Sequence, residues 1–229
     1  MDVVIPVADE PVNHTLALAI ESIRTHAPQL RIVLLGNTAA WAARVDLAFR
    51  LDQLPSRPLL NTDNAMLFAC RTEAISDPFL WSNDDIYWRR PVALPELVKQ
   101  SGTAWGQLTQ HSARGMYGVT AHRTHGLLVD RGLPTFSYER HVPLLVSKEA
   151  MIDVLGSVER GRFAKRSVYQ NTVLPAPVEL RPAGLGIGRD VKVFRAPDPI
   201  PDLDREPFLS TGNNYPLGGV RELLGLAAK

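Results

Sequence analysis

Asn83-Asp84-Asp85 stands directly after one apolar run, Pro78-Phe79-Leu80-Trp81, and directly before another, Ile86-Tyr87-Trp88. A short hydrophobic strand that ends in adjacent carboxylates presents hard oxygen ligands at the edge of a sheet. A divalent cation and a diphosphate could meet there, as in a nucleotide-sugar site. Asn and Asp also favour turns, so the same triplet reads as a turn between two strands. Both readings are carried forward.

Other residues suit the same chemistry. Asp9 and Glu10 follow the first apolar run, at the carboxyl edge where open α/β sheets bind ligands, so one of them could contact a base or ribose; a solvated loop fits equally well. Arg114, Arg123, Arg140 and Arg166 are candidate phosphate clamps, or a solvated charged face. His111, His122 and His125 lie in a long polar stretch and are treated as structural. Gly184-Leu185-Gly186-Ile187-Gly188 follows Pro182 without a clear helix after it and reads as a turn rather than a phosphate loop. Gly212-Asn213-Asn214-Tyr215 with Gly218-Gly219 could close over a ligand. The single Cys70 excludes an internal disulfide and reads as a buried small hydrophobe on a helix.

The elements that must position these groups follow from the hydropathy pattern. Asp2-Val3-Val4-Ile5-Pro6-Val7 and Arg31-Ile32-Val33-Leu34-Leu35-Gly36 are apolar on both faces, as strands of a parallel sheet are. Between them Leu16, Ala19, Ile20 and Ile23 recur at helical spacing, ended by Pro28. Ala39 to Arg50 is Ala-rich and expected to be helical, with a short strand over Asp46 to Leu51. Asn61-Thr62-Asp63-Asn64 offers caps for a helix from Ala65 to about Ala74, which leads into the strand bearing the acids. Pro91 to Gln100 is expected as a short helix and Trp105 to Leu108 as a strand. Gln110 to Arg140 is polar, without clear period, and expected to be a binding loop or lid. Lys148 to Glu159 is amphipathic, Val220 to Ala228 is a short final helix, and Pro197, Pro199 and Pro201 mark an extended segment.

The expected class is therefore α/β, a single domain with a mixed, mostly parallel sheet flanked by helices. Residues 1–109 form a nucleotide-binding half and residues 110–229 an acceptor-side half with a long loop and a Pro-rich C-terminal segment. Composition agrees with one soluble domain: 229 residues, 45% hydrophobic and 21% charged. The formal net charge of +1 supplies no global field for polyanions. The opening has no basic leader, and no apolar stretch approaches the roughly 20 residues that span a bilayer, so the expectation is a cytoplasmic protein.

Three segments taken in order resemble the Stealth family of sugar-phosphate transferases and, more distantly, the GT-A class of nucleotide-sugar glycosyltransferases. The first is Asp2-Val3-Val4-Ile5-Pro6-Val7 with Ser22-Ile23 and Ala27-Pro28. The second is Ile75-Ser76-Asp77-Pro78-Phe79-Leu80-Trp81-Ser82-Asn83-Asp84-Asp85 with Pro91-Val92. The third is His141-Val142-Pro143, with Arg166-Ser167-Val168-Tyr169-Gln170-Asn171 beyond it. After the first strand the chain has Val7-Ala8-Asp9-Glu10 where the Stealth pattern has W-V-D-G.

The resemblance implies a GT-A-like, Rossmann-related fold and a metal-dependent glycosyltransferase that moves a sugar from a nucleotide-sugar donor to an acceptor hydroxyl. The acceptor is a saccharide or another hydroxyl compound, with a modified DNA base as a further option. Sugar-phosphate transfer to polysaccharide and a non-catalytic nucleotide- or carbohydrate-binding module are the alternatives. On this reading Asp85 ligates Mn2+ or Mg2+, with Asp84 as a second ligand or a contact to ribose or donor sugar, and Asn83 hydrogen-bonding nearby. Pro6, Val7, Asp9, Glu10, Asn61, Asp63, Asn64 and Arg166 face the donor. His141 ligates the metal or takes the acceptor's proton, and Glu139 is the other candidate base.

Overall fold

The computed structural model describes residues 1–8, 14–93, 103–104, 115–139, 141–174, 192–193, 207–211, 220–221, 224 and 226. Its main sheet has five strands: β1 (Asp2–Val7), β2 (Arg31–Gly36), β3 (Leu47–Arg50), β4 (Phe79–Trp81) and β8 (Leu144–Val146), in the order β3-β2-β1-β4-β8. The first four are parallel, and β8 runs antiparallel to β4. This is the expected mixed, mostly parallel α/β sheet.

Alternation along the strands sorts the core into two layers, because successive side chains leave opposite faces of a strand. Val4, Val33, Leu35, Phe79 and Trp81 pack on one face, beneath α2 (Pro58–Arg71) and α4 (Lys148–Gly156), with α5 (Lys165–Val173) beyond. Val3, Ile5, Ile32, Leu34 and Leu80 pack on the other, against Leu16, Ile20 and Ile23 of α1 (His14–His26). All these strand residues are buried, which explains why β1 and β2 read as continuous apolar runs.

Register at the amino edge is set by charge. Asp2 pairs with Arg31 across β1 and β2, and its buried carboxylate accepts from Arg31 Nε at 2.7 Å, Arg31 Nη2 at 2.8 Å and Ser76 N at 2.7 Å. Burial opposes ionisation of Asp2, but those donors outweigh it and hold the carboxyl below the usual range.

A second sheet carries β5 (Ile86–Trp88), β10 (Phe208–Thr211) and β9 (Lys192–Val193), in the order β5-β10-β9. Tyr87 and Leu209 continue into a small apolar cluster with Leu18, Ala19, Val220 and Leu224. Arg221 Nη1 and Nη2 grip Glu21 of α1 at 2.7 and 2.9 Å, so the C-terminal segment is tied to the first crossover helix. β6 (Thr103–Ala104) pairs with β7 (Phe136–Ser137).

Several local expectations are corrected. Ala39 to Arg50 is not a helix; it holds one 3-10 turn, Ala42–Arg44, before the expected strand β3. Ala39, Ala40, Ala42 and Ala43 are exposed and bury no apolar stripe, and a segment this short does not sustain a helix by propensity alone. Asn61 to Asn64 do not cap α2 but lie inside it, since Pro58 already sets the first turn. The stretch from Gln110 to Arg140 contains a helix, α3 (Gly115–Asp130). Its buried face is Gly118, Thr120, Ala121, Thr124 and Leu128, small or hydroxyl-bearing residues that give no apolar period. Thr120 and Thr124 donate their hydroxyls to the carbonyls four residues back at 2.9 and 2.8 Å, which makes their burial tolerable. α4 stops at Gly156, earlier than expected, where Ser157 N returns to Asp153 O. Trp105 to Leu108, the glycine loops and the Pro-rich segment lie outside the described residues, as do most of the expected helix at 91–100 and of the final one at 220–228.

Candidate functional site

The chain runs from β1 through β2 to β3 on one side, then returns to place β4 on the other side of β1. The carboxyl ends of β1 and β4 therefore flank a topological switch point, the position where open α/β sheets leave a ligand crevice. A cleft of about 1270 Å³ occupies it. Pro6 and Val7 of β1 with Ala8 just after it, and Trp81 of β4 with Asn83 and Asp84 just after it, form its floor; residues 51–59 with Asn61 and Asn64 form one wall; Tyr117, Glu139, His141, Lys165 and Arg166 form another.

At the end of β4 the triplet forms the turn that one of its two readings expects. Ile86 N donates to Asn83 O at 3.3 Å, closing a turn over Asn83-Asp84-Asp85-Ile86. The turn carries the chain from the first sheet to the second, and of its two acids Asp84 lines the cleft while Asp85 is outside its lining.

The opposite wall hangs on α5. Glu139 Oε1 accepts from Ser167 N at 2.9 Å and Ser167 Oγ at 3.0 Å, so the carboxylate satisfies an amide of the helix's first turn. Ser167 Oγ in turn accepts from Tyr138 N at 2.9 Å. Asn171 grips β7 at two points, accepting from Phe136 N at 3.1 Å and donating to Phe136 O at 2.7 Å. Arg166, 7% exposed, donates from Nη1 to Val142 O at 2.6 Å and so fixes the backbone beside His141. The helix buries Val168 and Tyr169 in the apolar core and, beside them, Arg166, Ser167, Gln170 and Asn171, a polar set that positions its neighbours. Burial also pushes the Tyr138 phenol up, which keeps that neighbour of Glu139 neutral.

The residues of α2 are held within the wall. Asn61 accepts from Leu54 N and donates to Leu54 O, both at 2.9 Å, and thereby shapes the 51–57 loop. Asn64 Oδ1 accepts from Arg160 Nη1 at 2.8 Å. Asp63 is buried outside the cleft lining, 2.7 Å from Lys165 Nζ and accepting from Gly161 N at 2.6 Å. Asp9 and Glu10 lie outside the described residues, as do Arg114 and Arg140, while Arg123 is exposed on α3.

Of the expected site residues, the fold thus brings together Pro6, Val7, Asn61, Asn64, Asn83, Asp84, Glu139, His141 and Arg166. Gln53, Tyr117 and Lys165 join them without having been singled out from the sequence. Gln53 Nε2 donates to Val7 O, closing the cleft floor against the 51–57 loop. Among the described residues the charges on the lining balance: Asp52, Asp84 and Glu139 against Arg57, Lys165 and Arg166.

No protein-family model matches the chain, and no curated protein matches it either. Among solved structures, the galactosyltransferase LgtC in complex with donor and acceptor sugar analogues is similar at 16% identity and a TM-score of 0.43, over 75% of this chain and 70% of that one.

Proposed function

We propose that the chain is a glycosyltransferase that transfers a sugar from a nucleoside diphosphate donor to an acceptor hydroxyl, with help from a divalent cation. The observation that carries this reading is the meeting of Asn83 and Asp84 with Glu139, His141 and Arg166 around one cleft at the switch point of the sheet. Acid, imidazole and guanidinium converge from separate segments on a space large enough for a nucleotide sugar.

The donor lies over the carboxyl ends of β1 and β4, along Pro6 and Val7, and its diphosphate faces Arg166 and Lys165. Those cations stabilise the negative charge that grows on the leaving group. Among the described residues no group of three His, Cys, Asp or Glu side chains is placed to hold a metal alone. Asp84 and His141 would hold Mn2+ or Mg2+ together with oxygens of the donor, the usual arrangement for a cation bound by one or two protein ligands and a substrate phosphate. A bound cation would neutralise the diphosphate as it departs.

Glu139 acts as the base. Ser167 fixes one carboxylate oxygen, which orients the group without replacing it. The acceptor hydroxyl gives its proton to Glu139 as its oxygen bonds to the anomeric carbon; the sugar–phosphate bond breaks and its electron pair leaves on the diphosphate. Residues 1–109 supply the donor side of this site, and the segments after 110 supply the base and the phosphate clamp.

The test is turnover of a panel of nucleotide sugars with and without manganese or magnesium. Metal-dependent release of a nucleoside diphosphate is expected, and Glu139→Gln should lower kcat by about 10²-fold or more at nearly constant donor affinity. Release of a nucleoside monophosphate would instead assign sugar-phosphate transfer. Donor binding without turnover would leave a binding module.

A further inference from the structure

A second cavity of about 590 Å³ lies beside the first, and Ser56, Arg57, Pro58 and Leu59 line both. Arg57, Arg123, Arg160 and Arg162 border it from three separate segments: the start of α2, the middle of α3, and the loop between α4 and α5. Among the described residues of its lining, Glu159 is the single acid beside these four cations, and it is already paired with Arg162. Arg160 bonds the neutral Asn64, whose side chain also lines the main cleft. The side chains of Arg57 and Arg123 have no hydrogen bond or ion pair with any described residue.

The arginines are set on a fixed frame. Gly161 has φ of +76°, and a Cβ there would stand 3.0 Å from Leu60 Cβ, so the 159–162 loop approaches α2 as closely as only glycine allows. Gly161 N is bound by buried Asp63 as well. On α3, Met116, Val119, Thr120 and Arg123 face the cavity at i, i+3, i+4 and i+7, a single helical stripe. Met116 and Val119 are 60% and 48% exposed and offer an apolar surface next to the guanidinium groups.

We infer that this cavity binds the phosphate of a phosphorylated sugar, and that it is the acceptor's subsite. Several guanidinium groups converging on one concavity match the oxygens of a phosphomonoester, and the apolar stripe suits the less polar face of a sugar ring. The volume fits a compact ligand rather than a nucleic-acid track, and the formal charge of +1 for the whole chain makes the basic surface local. Calling the ligand an acceptor rests on the transferase reading; the anion site itself does not.

The test is calorimetric titration of the full chain with glucose 6-phosphate, inorganic phosphate and unphosphorylated glucose. It is repeated on Arg57→Ala/Arg123→Ala and on Arg57→Lys/Arg123→Lys, and each sample is also titrated with nucleoside diphosphates. Both substituted positions are exposed, so folding is retained and is checked by thermal melting. The expected result is binding of glucose 6-phosphate and phosphate but not glucose, weakened about tenfold in the alanine pair and partly restored in the lysine pair. Equal binding of glucose and glucose 6-phosphate, or unchanged binding in the alanine pair, would overturn the site. So would arginine-dependent sedimentation with vesicles of phosphatidylcholine and phosphatidylglycerol in the absence of sugar-phosphate binding, which would assign the surface to a membrane. Absence of nucleotide binding by the native chain, with sugar-phosphate binding intact, would count against the transferase reading and leave the anion site standing.

Discussion

Asp84 and Asp85 are adjacent in the chain but stand differently to the cleft. The turn closed from Ile86 N to Asn83 O leaves Asp84 on the cleft and takes Asp85 out of its lining. Replacing each by Asn should therefore divide the pair: kcat/KM is expected to fall about 10²-fold or more in Asp84→Asn and by about threefold at most in Asp85→Asn, measured on the same donor. The sequence marks the triplet because charge follows an apolar run, but a turn's side-chain directions are not written in that pattern. Glu139 was legible only beside His141, and its fixing partner Ser167 is distant in the chain. Cys70 is simpler. Burial is the main cause that pushes its thiol up to about 12, so native protein should not react with Ellman's reagent at about pH 8, while protein unfolded in guanidinium should react fully. Rapid labelling of the native chain would contradict that burial.

At the level of elements, β1, β2, α1 and β4 could be read directly because each buries large apolar residues at its own period. α3 could not. Its buried face is made of glycine, alanine and self-bonded threonines, so its periodicity lies in side-chain size rather than hydropathy. α5 hides in the opposite way, burying a polar face whose partners are β7, Tyr138 and Glu139. The end of β2 shows how tightly the elements bear on the cleft. Gly36 has φ of +122°, and a Cβ there would fall 2.3 Å from Val7 O and 2.7 Å from Gln53 Nε2. Gly36→Ala should lower stability by about 2 kcal/mol or more, read from the urea midpoint, and should weaken nucleotide binding because Val7 and Gln53 must move. An unchanged midpoint would mean that the close approach of β2 to β1 is relieved at little cost.

On the scale of the whole molecule, one topological fact organises the rest: the chain reverses its direction of travel across the sheet after β3, and the crevice opens where it does so. Apolar layers on both faces hold the strands, so the loops at their carboxyl ends are free to carry polar chemistry. Among the described residues no helix is long and apolar enough to cross a membrane. The most direct test of the account is the melting temperature of the native chain and of Asp84→Asn with nucleoside diphosphates, each with and without manganese or magnesium. A ligand that binds only the folded state raises the melting temperature by mass action. The account predicts a shift with one nucleoside diphosphate that needs the metal and is lost in Asp84→Asn; no shift with any nucleotide, or a shift that is identical in the variant, would contradict it.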